Sequence, residues 1–329
     1  MSVNAFGDHG PHENLGTVLS AIASGVDDIA ELLRSGQTSG EVGTLNSFGD
    51  KQLEVDIAAD DIIFNRLKQS CAVATASSEE RPEEISLGGQ GYAVAFDPLD
   101  GSSIVGANFS VGAIFGVWKG DKLLGRTGEE QVAAAYAVFG SRTSLVVALP
   151  DPGATTGKTV QEYTLGHQHE GSVWKLTRDN IKLGEKKVFA PANLRAAAEN
   201  TSYRNLVSQF ILDKFTLRYT GGFVPDVHHI LTKGGGIFLN PVSPSAPAKL
   251  RLLYECAPLA FVVEAAGGAS SNGTESILQL SITSLDLRTP ISIGSKEQEQ
   301  NDFAKICSAC PFKASGTTYS ANVGAVESI

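Results

Sequence analysis

The first 70 residues place their hydrophobic positions at the spacing of two amphipathic helices. Apolar residues recur every three or four positions over residues 15–33, and Ser35-Gly36 ends the run. A glycine-rich stretch over residues 36–49 predicts a loop. Residues 56–70 again gather apolar side chains on one side, which predicts a second helix.

The pattern changes to that of β-strands after residue 70, and to a mixture of helices and strands in the second half. Short apolar runs predict strands over residues 72–76, 92–96, 109–118, 132–139 and 144–149 and a hairpin over residues 163–178. Further along, the pattern predicts helices over residues 191–198, 203–212 and 250–266 and strands over residues 215–219 and 236–239. Interleaved helices and strands predict a mixed α/β fold built in layers.

The pattern of apolar and polar residues changes near Lys187, which predicts a boundary between two domains. The N-terminal domain would span residues 1–187 and the C-terminal domain residues 188–313. Residues 314–329 are small and polar, which predicts a disordered tail.

The chain is acidic, with a formal net charge of −10 and a pI near 5.1. This charge argues against nucleic acid and anionic membranes as partners, because both need a basic face. Apolar residues make up 42% of the chain and charged ones 19%, which excludes a wholly disordered chain. The first 14 residues lack the pattern of a signal peptide. We therefore expect a cytoplasmic protein, or a plastid one if a transit peptide preceded Met1.

Four cysteines are too few for a disulfide scaffold, and reduced thiols in an intracellular enzyme are the simplest interpretation. Cys307 and Cys310 have the spacing of a redox pair. They lie outside a strand-to-helix context, so a structural or incidental role is favoured over a redox switch.

The strongest chemical signal is the segment Phe96-Asp-Pro-Leu-Asp-Gly-Ser-Ser103. A buried strand is predicted to end in Asp97, because Pro98 prevents its regular continuation, and Asp100 follows three residues after Asp97. The Gly-Ser-Ser that comes next supplies backbone N–H groups that can point at an anion. Two carboxylates beside such N–H groups can hold a divalent cation against a phosphate oxygen. The segment therefore predicts a metal–phosphate site, although Asp-Gly alone is ordinary turn chemistry.

Other acids can complete this site. Glu79-Glu80 follows a predicted strand, and Asp50 and Asp56 flank the start of the second helix. On its own, Glu79-Glu80 would be interpreted as a solvated charge run. Glu255 lies in an apolar stretch, where burial is costly unless a cation or proton satisfies it. Alone, it could equally be a metal ligand or a helix-surface residue.

A metal-assisted phosphatase needs a set of acidic residues of this kind. Two or more Mg²⁺ ions would neutralise the phosphate, and a further carboxylate would act on the water proton. Mg²⁺ prefers carboxylates and water, so histidines are not required. The sequence contains no P-loop motif, which argues against a nucleotide-driven enzyme.

Several motifs, in order, resemble those of the family of fructose-1,6-bisphosphatases and sedoheptulose-1,7-bisphosphatases, over residues 15–303. They are Ser47-Phe-Gly-Asp-Lys-Gln-Leu-Glu-Val-Asp56, Ser78-Glu-Glu80, Phe96 to Ser103, Leu217-Arg-Tyr-Thr-Gly-Gly222 and Lys249-Leu-Arg-Leu-Leu-Tyr-Glu255. The resemblance implies a five-layer α-β-α-β-α sandwich. It also implies hydrolysis of a C1 phosphate of a sugar bisphosphate, and a homodimer or homotetramer.

The resemblance also implies a role for each site residue. The Mg²⁺ ligands, for two or three ions with Mn²⁺ as a substitute, would be Glu79, Asp97, Asp100, Glu255 and the carbonyl of Leu99. Asp56 and Glu80 would orient and deprotonate the attacking water, and Asp50 would assist the leaving group. The amides of Gly101, Ser102 and Ser103 would bind the phosphate that is removed. The phosphate that stays, and the sugar, would be bound by Asn200, Tyr203, Arg218, Tyr219 and Lys249.

From the residues alone, this second group is less specific. Arg218 and Lys249 are cations suited to a phosphate. Tyr203 and Tyr219 would be interpreted as structural aromatic residues, and Asn200 as a helix N-cap. Only the resemblance gives these three a role in binding.

Departures from the fructose-bisphosphatase pattern favour the seven-carbon substrate. Gly91 stands where AMP-inhibited members carry a lysine, and Asn240 stands where many carry a tyrosine. Residues 220–226 follow the sedoheptulose-type pattern. Chloroplast members carry a cysteine pair for thioredoxin control, and residues 36–45 contain no cysteine, so we expect that switch to be absent. The alternatives are a fructose-1,6-bisphosphatase and a metal-dependent sugar-phosphate sensor without turnover. Asp56 and Glu80 argue against the sensor, because a protein that only binds needs no water-activating pair.

Overall fold

The computed structural model describes residues 14–36, 41–45, 51–168 and 171–296. Asp50, Cys307, Cys310 and the predicted tail over residues 314–329 lie outside this part of the chain. Among the described residues, no helix has both the length and the apolar character that crossing a membrane requires.

The two predicted N-terminal helices are confirmed and form the first layer. Helix α1 spans Leu15–Arg34 and helix α2 spans Glu54–Gln69, and their apolar sides share one core with the sheet beneath them. A bidentate ion pair joins the helices, in which Arg66 Nε and Nη2 lie 2.6 and 2.9 Å from the carboxylate oxygens of Asp28. Between α1 and α2 the chain forms a short antiparallel pair, β1 (Glu41–Leu45) and β2 (Lys51–Leu53).

The second layer is an eight-stranded sheet. Its strands are β3 (Val73–Ser78), β4 (Ile85–Ser86), β5 (Tyr92–Asp100), β6 (Val111–Lys119), β7 (Gln131–Phe139), β8 (Thr143–Pro150), β9 (Lys158–Gln168) and β10 (Gly171–Arg178). They lie in the order β10-β9-β8-β7-β6-β5-β3-β4, and β3 and β5 are parallel. Along β5, Val94 and Phe96 pack towards α1 and α2, whereas Ala93 and Ala95 pack towards the opposite core. Both faces are covered, so β5 is a continuous apolar run.

The other three layers come from the second half. Strands β11 (Val188–Pro191), β12 (Thr216–Leu217), β13 (Ile237–Asn240), β14 (Ala269–Ser271) and β15 (Ile291–Gly294) form a sheet in the order β12-β11-β13-β15-β14. Helices α4 (Phe223–Lys233) and α5 (Ala257–Ala265) pack between the two sheets, and α3 (Thr201–Leu212) covers the outer face. Side chains of β13 alternate accordingly, with Phe238 in the middle layer and Ile237 and Leu239 against α3. The five-layer α-β-α-β-α sandwich is therefore confirmed.

Three local predictions are wrong, and one helix was missed. Residues 41–45 form β1 within the predicted loop, because they find a partner in β2. Residues 188–191 form a strand, and only Leu194–Ala198 form a 3₁₀ helix where a helix over 191–198 was predicted. Helix α4 was not predicted. Strand β5 continues through Pro98 instead of ending at Asp97, because a bulge accommodates the proline.

The predicted domain boundary near Lys187 stays a prediction. One core joins both sides of it, since Ala93 and Ala95 of the large sheet belong to the same cluster as Phe238 of the small sheet. Any division at this point would therefore cut through shared apolar packing.

Candidate active site

The carboxyl end of β5 carries a β-bulge that presents two aspartates. Asp97 lies opposite Ile114 of β6 and Asp100 lies opposite Gly112, so four residues of β5 face three of β6. Pro98 has no amide N–H, so its place in the bulge loses no donor of the ladder. The Leu99 amide donates to Asp97 Oδ1 at 2.9 Å and fixes the turn.

Three carboxylates meet beside this bulge. Oxygen atoms of Glu79, Asp97 and Glu255 all lie within 4.8 Å of one another. The amide of Glu79 donates to the carbonyl of Phe96 at 3.1 Å, which places Glu79 beside Asp97. Glu255 lies in a single π-helical turn, Leu252–Cys256, directly before α5. Such turns often mark functional sites, because the inserted residue changes the direction of a side chain.

The electrostatics of this cluster suit a divalent cation. Burial raises the pKa of Asp97 and of Glu255 well above its usual value, and the charges of neighbouring carboxylates, Glu79 first, raise it further. Buried like charges are unfavourable unless a cation or a proton compensates them. Carboxylate oxygens are the ligands that Mg²⁺ prefers, so these residues fit a magnesium site.

A cation from the chain itself contacts the cluster, and the sequence analysis gave it no role. Arg251 is 3% exposed, and its guanidinium pairs with Glu79 while its Nε lies 3.3 Å from Asp286 Oδ1. The Arg251 amide also donates to Glu255 Oε2 at 2.5 Å. A cation four residues before a buried glutamate, within an apolar run, was the signal available in the sequence.

Asp100 lies at the N-terminus of α4. Its carboxylate accepts the amides of Phe223 at 3.2 Å and Val224 at 2.6 Å. Burial raises the pKa of Asp100 to about 6, and these two hydrogen bonds oppose the rise. Gly112 makes the approach of α4 sterically allowed, since a Cβ there would lie 2.4 Å from the Cβ of Val224. Asp100 thus ties the large sheet to the second half of the chain.

The Gly-Ser-Ser segment forms a turn beside Asp100. Gly101 adopts φ +86°, a left-handed conformation that favours glycine, and a 3₁₀ helix begins at Ser102. The first amides of a helix have no acceptor within it, so those of Ser102 and Ser103 can bind an anion. A Cβ on Gly101 would lie 3.4 Å from the Cα of Gly222, so the loop before α4 packs directly against this turn.

The loop before α4 carries two of the proposed substrate ligands, and a third lies farther along the chain. Arg218 and Tyr219 follow β12 and are exposed, and Lys249 is exposed in the segment after β13. Asp226 holds the loop, since its Oδ1 accepts the Thr220 amide at 2.7 Å. Burial, together with the charge of Asp226, raises the pKa of Tyr219, whereas the charge of Arg195 lowers it.

Asn200 and Tyr203 lie at the start of α3, where both form hydrogen bonds within the protein. Asn200 is the N-cap of α3, and its Oδ1 accepts the amide of Tyr203 at 3.0 Å. The Tyr203 side chain is fully buried, and its hydroxyl donates to the carbonyl of Ala192 at 2.8 Å. These contacts match the structural roles that the residues alone suggested. Their binding of a phosphate stays a prediction, which these hydrogen bonds do not favour.

The two residues proposed to act on water lie on adjoining elements. Asp56 is buried in the first turn of α2, and Glu80 is half-buried in the turn after β3. Arg81 braces that turn against α2, with its Nε 2.7 Å from Asp60 Oδ2 and its guanidinium 4.7 Å from the centre of the Phe64 ring.

Comparisons with known proteins agree with this architecture. Residues 4–178 match the family model "Fructose-1-6-bisphosphatase, N-terminal domain", and residues 183–306 match "Fructose-1-6-bisphosphatase, C-terminal domain". The chain is 48% identical to a chloroplastic sedoheptulose-1,7-bisphosphatase of Triticum aestivum, over 88% of this chain and 72% of that protein. It is 39% identical to a class 1 fructose-1,6-bisphosphatase of Trichlorobacter lovleyi, over 86% of this chain and 88% of that protein.

A solved structure gives the same result. The crystal structure of Leishmania major fructose-1,6-bisphosphatase in holo form superimposes with a TM-score of 0.79 and 30% identity, covering 91% of this chain and 94% of that one. Both family models together span nearly all of the described residues. The chain therefore belongs to the fructose-1,6-bisphosphatase family.

Proposed function

We propose that this protein hydrolyses the C1 phosphate of sedoheptulose 1,7-bisphosphate, which gives sedoheptulose 7-phosphate and inorganic phosphate. The observation that carries the proposal is the cluster of Glu79, Asp97 and Glu255 beside the Gly101 turn. A divalent cation can bind at this cluster, and a phosphate can bind at the adjacent turn. An enzyme of this kind is a phosphoric monoester hydrolase.

Two observations support the seven-carbon substrate. The chain is 48% identical to the wheat sedoheptulose-1,7-bisphosphatase and 39% identical to the bacterial fructose-1,6-bisphosphatase. Gly91 and Asn240 also depart from the fructose-bisphosphatase pattern, and residues 220–226 follow the sedoheptulose-type pattern. Fructose 1,6-bisphosphate is the second candidate, favoured by coverage of 88% of the length of the bacterial enzyme.

The metal would be Mg²⁺, with Mn²⁺ as a substitute and two or three ions per site. Its ligands would be the side chains of Glu79, Asp97, Asp100 and Glu255 and the carbonyl of Leu99. When bound, the metal neutralises phosphate charge and lowers the pKa of a water molecule. Oxygen-only donors and the burial of Asp97 and Glu255 support this choice of ion.

The chain's own groups would divide the remaining work. The amides of Gly101, Ser102 and Ser103 would hold the phosphate that leaves, and Asp56 and Glu80 would orient the attacking water and accept its proton. Asp50 would give a proton to the departing sugar oxygen. The reaction balances, because one water supplies the oxygen of the phosphate product and the proton of the sugar hydroxyl.

The second phosphate would be bound at the edge that carries Arg218 and Tyr219, with Lys249 on the sugar. Arg218 suits this role, because a guanidinium donates two parallel hydrogen bonds to a phosphate. The packing of Gly222 against Gly101 supports a single ligand that spans both places.

Phosphate release from both bisphosphates at one Mg²⁺ concentration tests the proposal. We expect a higher kcat/KM for sedoheptulose 1,7-bisphosphate and no release in excess chelator. Equal or better use of fructose 1,6-bisphosphate would select the second candidate. Mg²⁺-dependent binding without release would instead indicate a sugar-phosphate sensor, which the presence of Asp56 and Glu80 disfavours.

We also propose a homodimer or homotetramer, without nucleic acid or membrane partners. Strand β12 is the edge of the small sheet, and Ile211, Leu212 and Leu217 near it are 66%, 72% and 55% exposed. Exposed apolar patches of this kind commonly mark protein interfaces. Light scattering after size exclusion would give the mass in solution.

The proposed location is the cytoplasm or a plastid. The wheat relative is named chloroplastic, and a plastid location is compatible with that resemblance. Fractionation of the source cells, with an antibody against this chain, would decide between the two compartments.

A further inference from the structure

The turn that presents Glu80 is closed at both of its ends. Ser78 and Arg81 flank Glu79-Glu80, and the Ser78 amide donates to the Arg81 carbonyl at 3.1 Å. The Arg81 amide donates in return to Ser78 Oγ at 2.9 Å. The Glu79 amide donates to the carbonyl of Phe96, so β5 holds the inner side of the turn. Glu80 therefore lies between this inner anchor and Arg81.

The side chain of Arg81 attaches the other side of the turn to α2. Its Nε lies 2.7 Å from Oδ2 of Asp60, which is 1% exposed, and its guanidinium also pairs with Asp61. The same guanidinium lies 4.7 Å from the centre of the Phe64 ring, which adds a cation–π contact. One side chain thus makes three contacts with residues 60–64 of the helix.

These contacts lie one helical turn from the other residue proposed to act on water. Asp56 and Asp60 are four positions apart on α2, so their side chains lie on the same face of the helix, and both are buried. The contact between Arg81 and Asp60 therefore also limits how far Glu80 can move from Asp56.

The charge of Arg81 acts in the same direction as its contacts. Burial raises the pKa of Asp60 to about 7, the charges of Glu80 and Asp61 add to the rise, and the charge of Arg81 opposes it. Without the guanidinium, the repulsion among these carboxylates would lose its compensation and would favour a wider separation of the turn from α2.

We propose that Arg81 is a positioning residue that holds Glu80 beside Asp56, so that both carboxylates can act on one water molecule. The inference rests on the proposed function and adds to it a residue that acts through Glu80. Arginine suits this role, because its planar guanidinium can pair with two carboxylates and contact an aromatic ring at the same time.

The first test measures phosphate release from the bisphosphate that wild type hydrolyses faster, at pH 8 and in excess Mg²⁺. For Arg81→Gln we expect kcat to fall about 10- to 100-fold, because a small displacement of a catalytic group has an effect of this size. The KM should stay within about twofold of wild type, since the proposed substrate-binding groups lie elsewhere. Arg81→Lys keeps the charge but loses the planar fork, so its kcat should lie between those of wild type and Arg81→Gln.

Arg66→Gln is the matched control. Arg66 also joins α2 to another element through a carboxylate, Asp28 of α1, and its side chain is 40% exposed against 38% for Arg81. Its kcat and KM should stay within about twofold of wild type. An equal loss of kcat in the two variants would show that any loosening of α2 has this effect, and it would overturn the inference. So would a wild-type kcat in Arg81→Gln.

A double-substitution cycle tests whether Arg81 acts through Glu80. In the Glu80→Gln background, Arg81→Gln should lower kcat by less than about twofold, because the displaced side chain no longer contributes to the reaction. A loss as large as that in the wild-type background overturns the inference, since Arg81 would then act independently of Glu80.

Hydrogen–deuterium exchange separates this inference from the proposed function. In EDTA, the hydrogen-bonded amides of Ser78, Glu79 and Arg81 should exchange about 3- to 10-fold faster in Arg81→Gln than in wild type, and Arg66→Gln should match wild type in this segment. If wild type releases no phosphate from either bisphosphate, the proposed function fails, and faster exchange in Arg81→Gln still shows that Arg81 holds the turn. Equal exchange in the three proteins overturns the role of Arg81 whether or not the protein is active. Thermal unfolding of each variant shows that the fold is retained.

Discussion

Replacing Asp97 by asparagine should change the stability of the protein in opposite directions with and without metal. In the metal-free protein, Asp97 is buried within 4.8 Å of Glu79 and Glu255. Arg251 pairs with Glu79, so Asp97 and Glu255 receive less compensation. Asparagine keeps the Oδ1 that accepts the Leu99 amide at 2.9 Å, and its new NH₂ group can donate to a neighbouring carboxylate. The substitution therefore removes repulsion and retains the local hydrogen bond.

The distance sets the size of the effect. Two full charges 4.8 Å apart repel by about 3 kcal/mol at an effective dielectric constant near 20. The raised pKa values of Asp97 and Glu255 mean that bound protons already relieve part of this repulsion. We therefore expect Asp97→Asn to gain about 1–2 kcal/mol in chelator, which raises Tm by about 2–6 °C.

Metal should reverse the order. A ligand that binds only the folded state stabilises it by about 2.7 kcal/mol at 100 times its Kd. Wild type should show this gain when Mg²⁺ is added. Asp97→Asn has lost an anionic oxygen ligand, so its Tm should change little.

Thermal unfolding at pH 8, in EDTA and in excess Mg²⁺, measures both effects. Asp121→Asn is the control, because Asp121 is an exposed carboxylate outside the cluster, and it should follow wild type in both buffers. A variant less stable than wild type in EDTA would refute the reasoning, since the carboxylate would then contribute more through its contacts than it loses through repulsion. If Mg²⁺ raises the Tm of the variant and of wild type equally, Asp97 is not a metal ligand.

Three further predictions follow from the site. Glu80→Gln and Asp56→Asn should each lower kcat by about 10²- to 10⁴-fold. Both variants should still bind sedoheptulose 7-phosphate in titration calorimetry. A near-normal kcat in a variant would show that another residue activates the water. Burial raises the pKa of Asp60 to about 7, so the folded state retains its proton between about pH 4 and 7 and the free energy of unfolding falls as pH rises through that window. The free energy of unfolding, measured by denaturant titration at pH 5 and pH 8, should fall less in Asp60→Asn than in wild type. An equal fall in the two proteins would show that Asp60 does not cause this pH dependence. AMP should inhibit phosphate release only weakly, because Gly91 offers no cation to a nucleotide phosphate, and strong inhibition would show another binding mode.

The elements that the sequence revealed are those whose burial follows a simple period. Helix α1 packs one side against a single core, and strand β5 is covered by a core on each face. The apolar stripe of the helix and the continuous apolar run of the strand therefore follow directly from their burial. The acids of the candidate site were also accessible, because Asp97, Asp100 and Glu255 stand in apolar surroundings where a carboxylate needs a chemical reason. Motif and burial pointed to the same residues.

The remaining features depend on contacts between distant parts of the chain. Asp100 accepts amides 123 and 124 positions away, and Arg251 pairs with an acid 172 positions away. Helix α4 begins with Phe-Val-Pro, a sequence that is equally compatible with an extended segment. The acceptor for its first amides is Asp100, which is distant in sequence. No local pattern contains that information.

Tyr203 and Arg195 show the same limit for single residues. A tyrosine near the start of a helix can face a ligand or the core, and only the bond from its hydroxyl to Ala192 shows which. Arg195 is an exposed arginine in an alanine-rich segment, and only the parallel pairing of β11 and β12 shows that the segment after β11 lies at the same sheet edge as Arg218.

The fold gives Asp100 and Asp226 complementary positions around one loop. Asp100 holds the first two amides of α4 from the side of the large sheet, and Asp226 holds Thr220 from within the helix. The loop that presents Tyr219 is therefore anchored at one end to a proposed metal ligand. These hydrogen bonds are 2.6–3.2 Å long, and those to Asp100 are buried. We therefore expect the packing of α4 against β6, rather than the flexibility of surface side chains, to set the separation between the two proposed phosphate-binding places. We expect a site built in this way to distinguish substrates by the distance between their two phosphates.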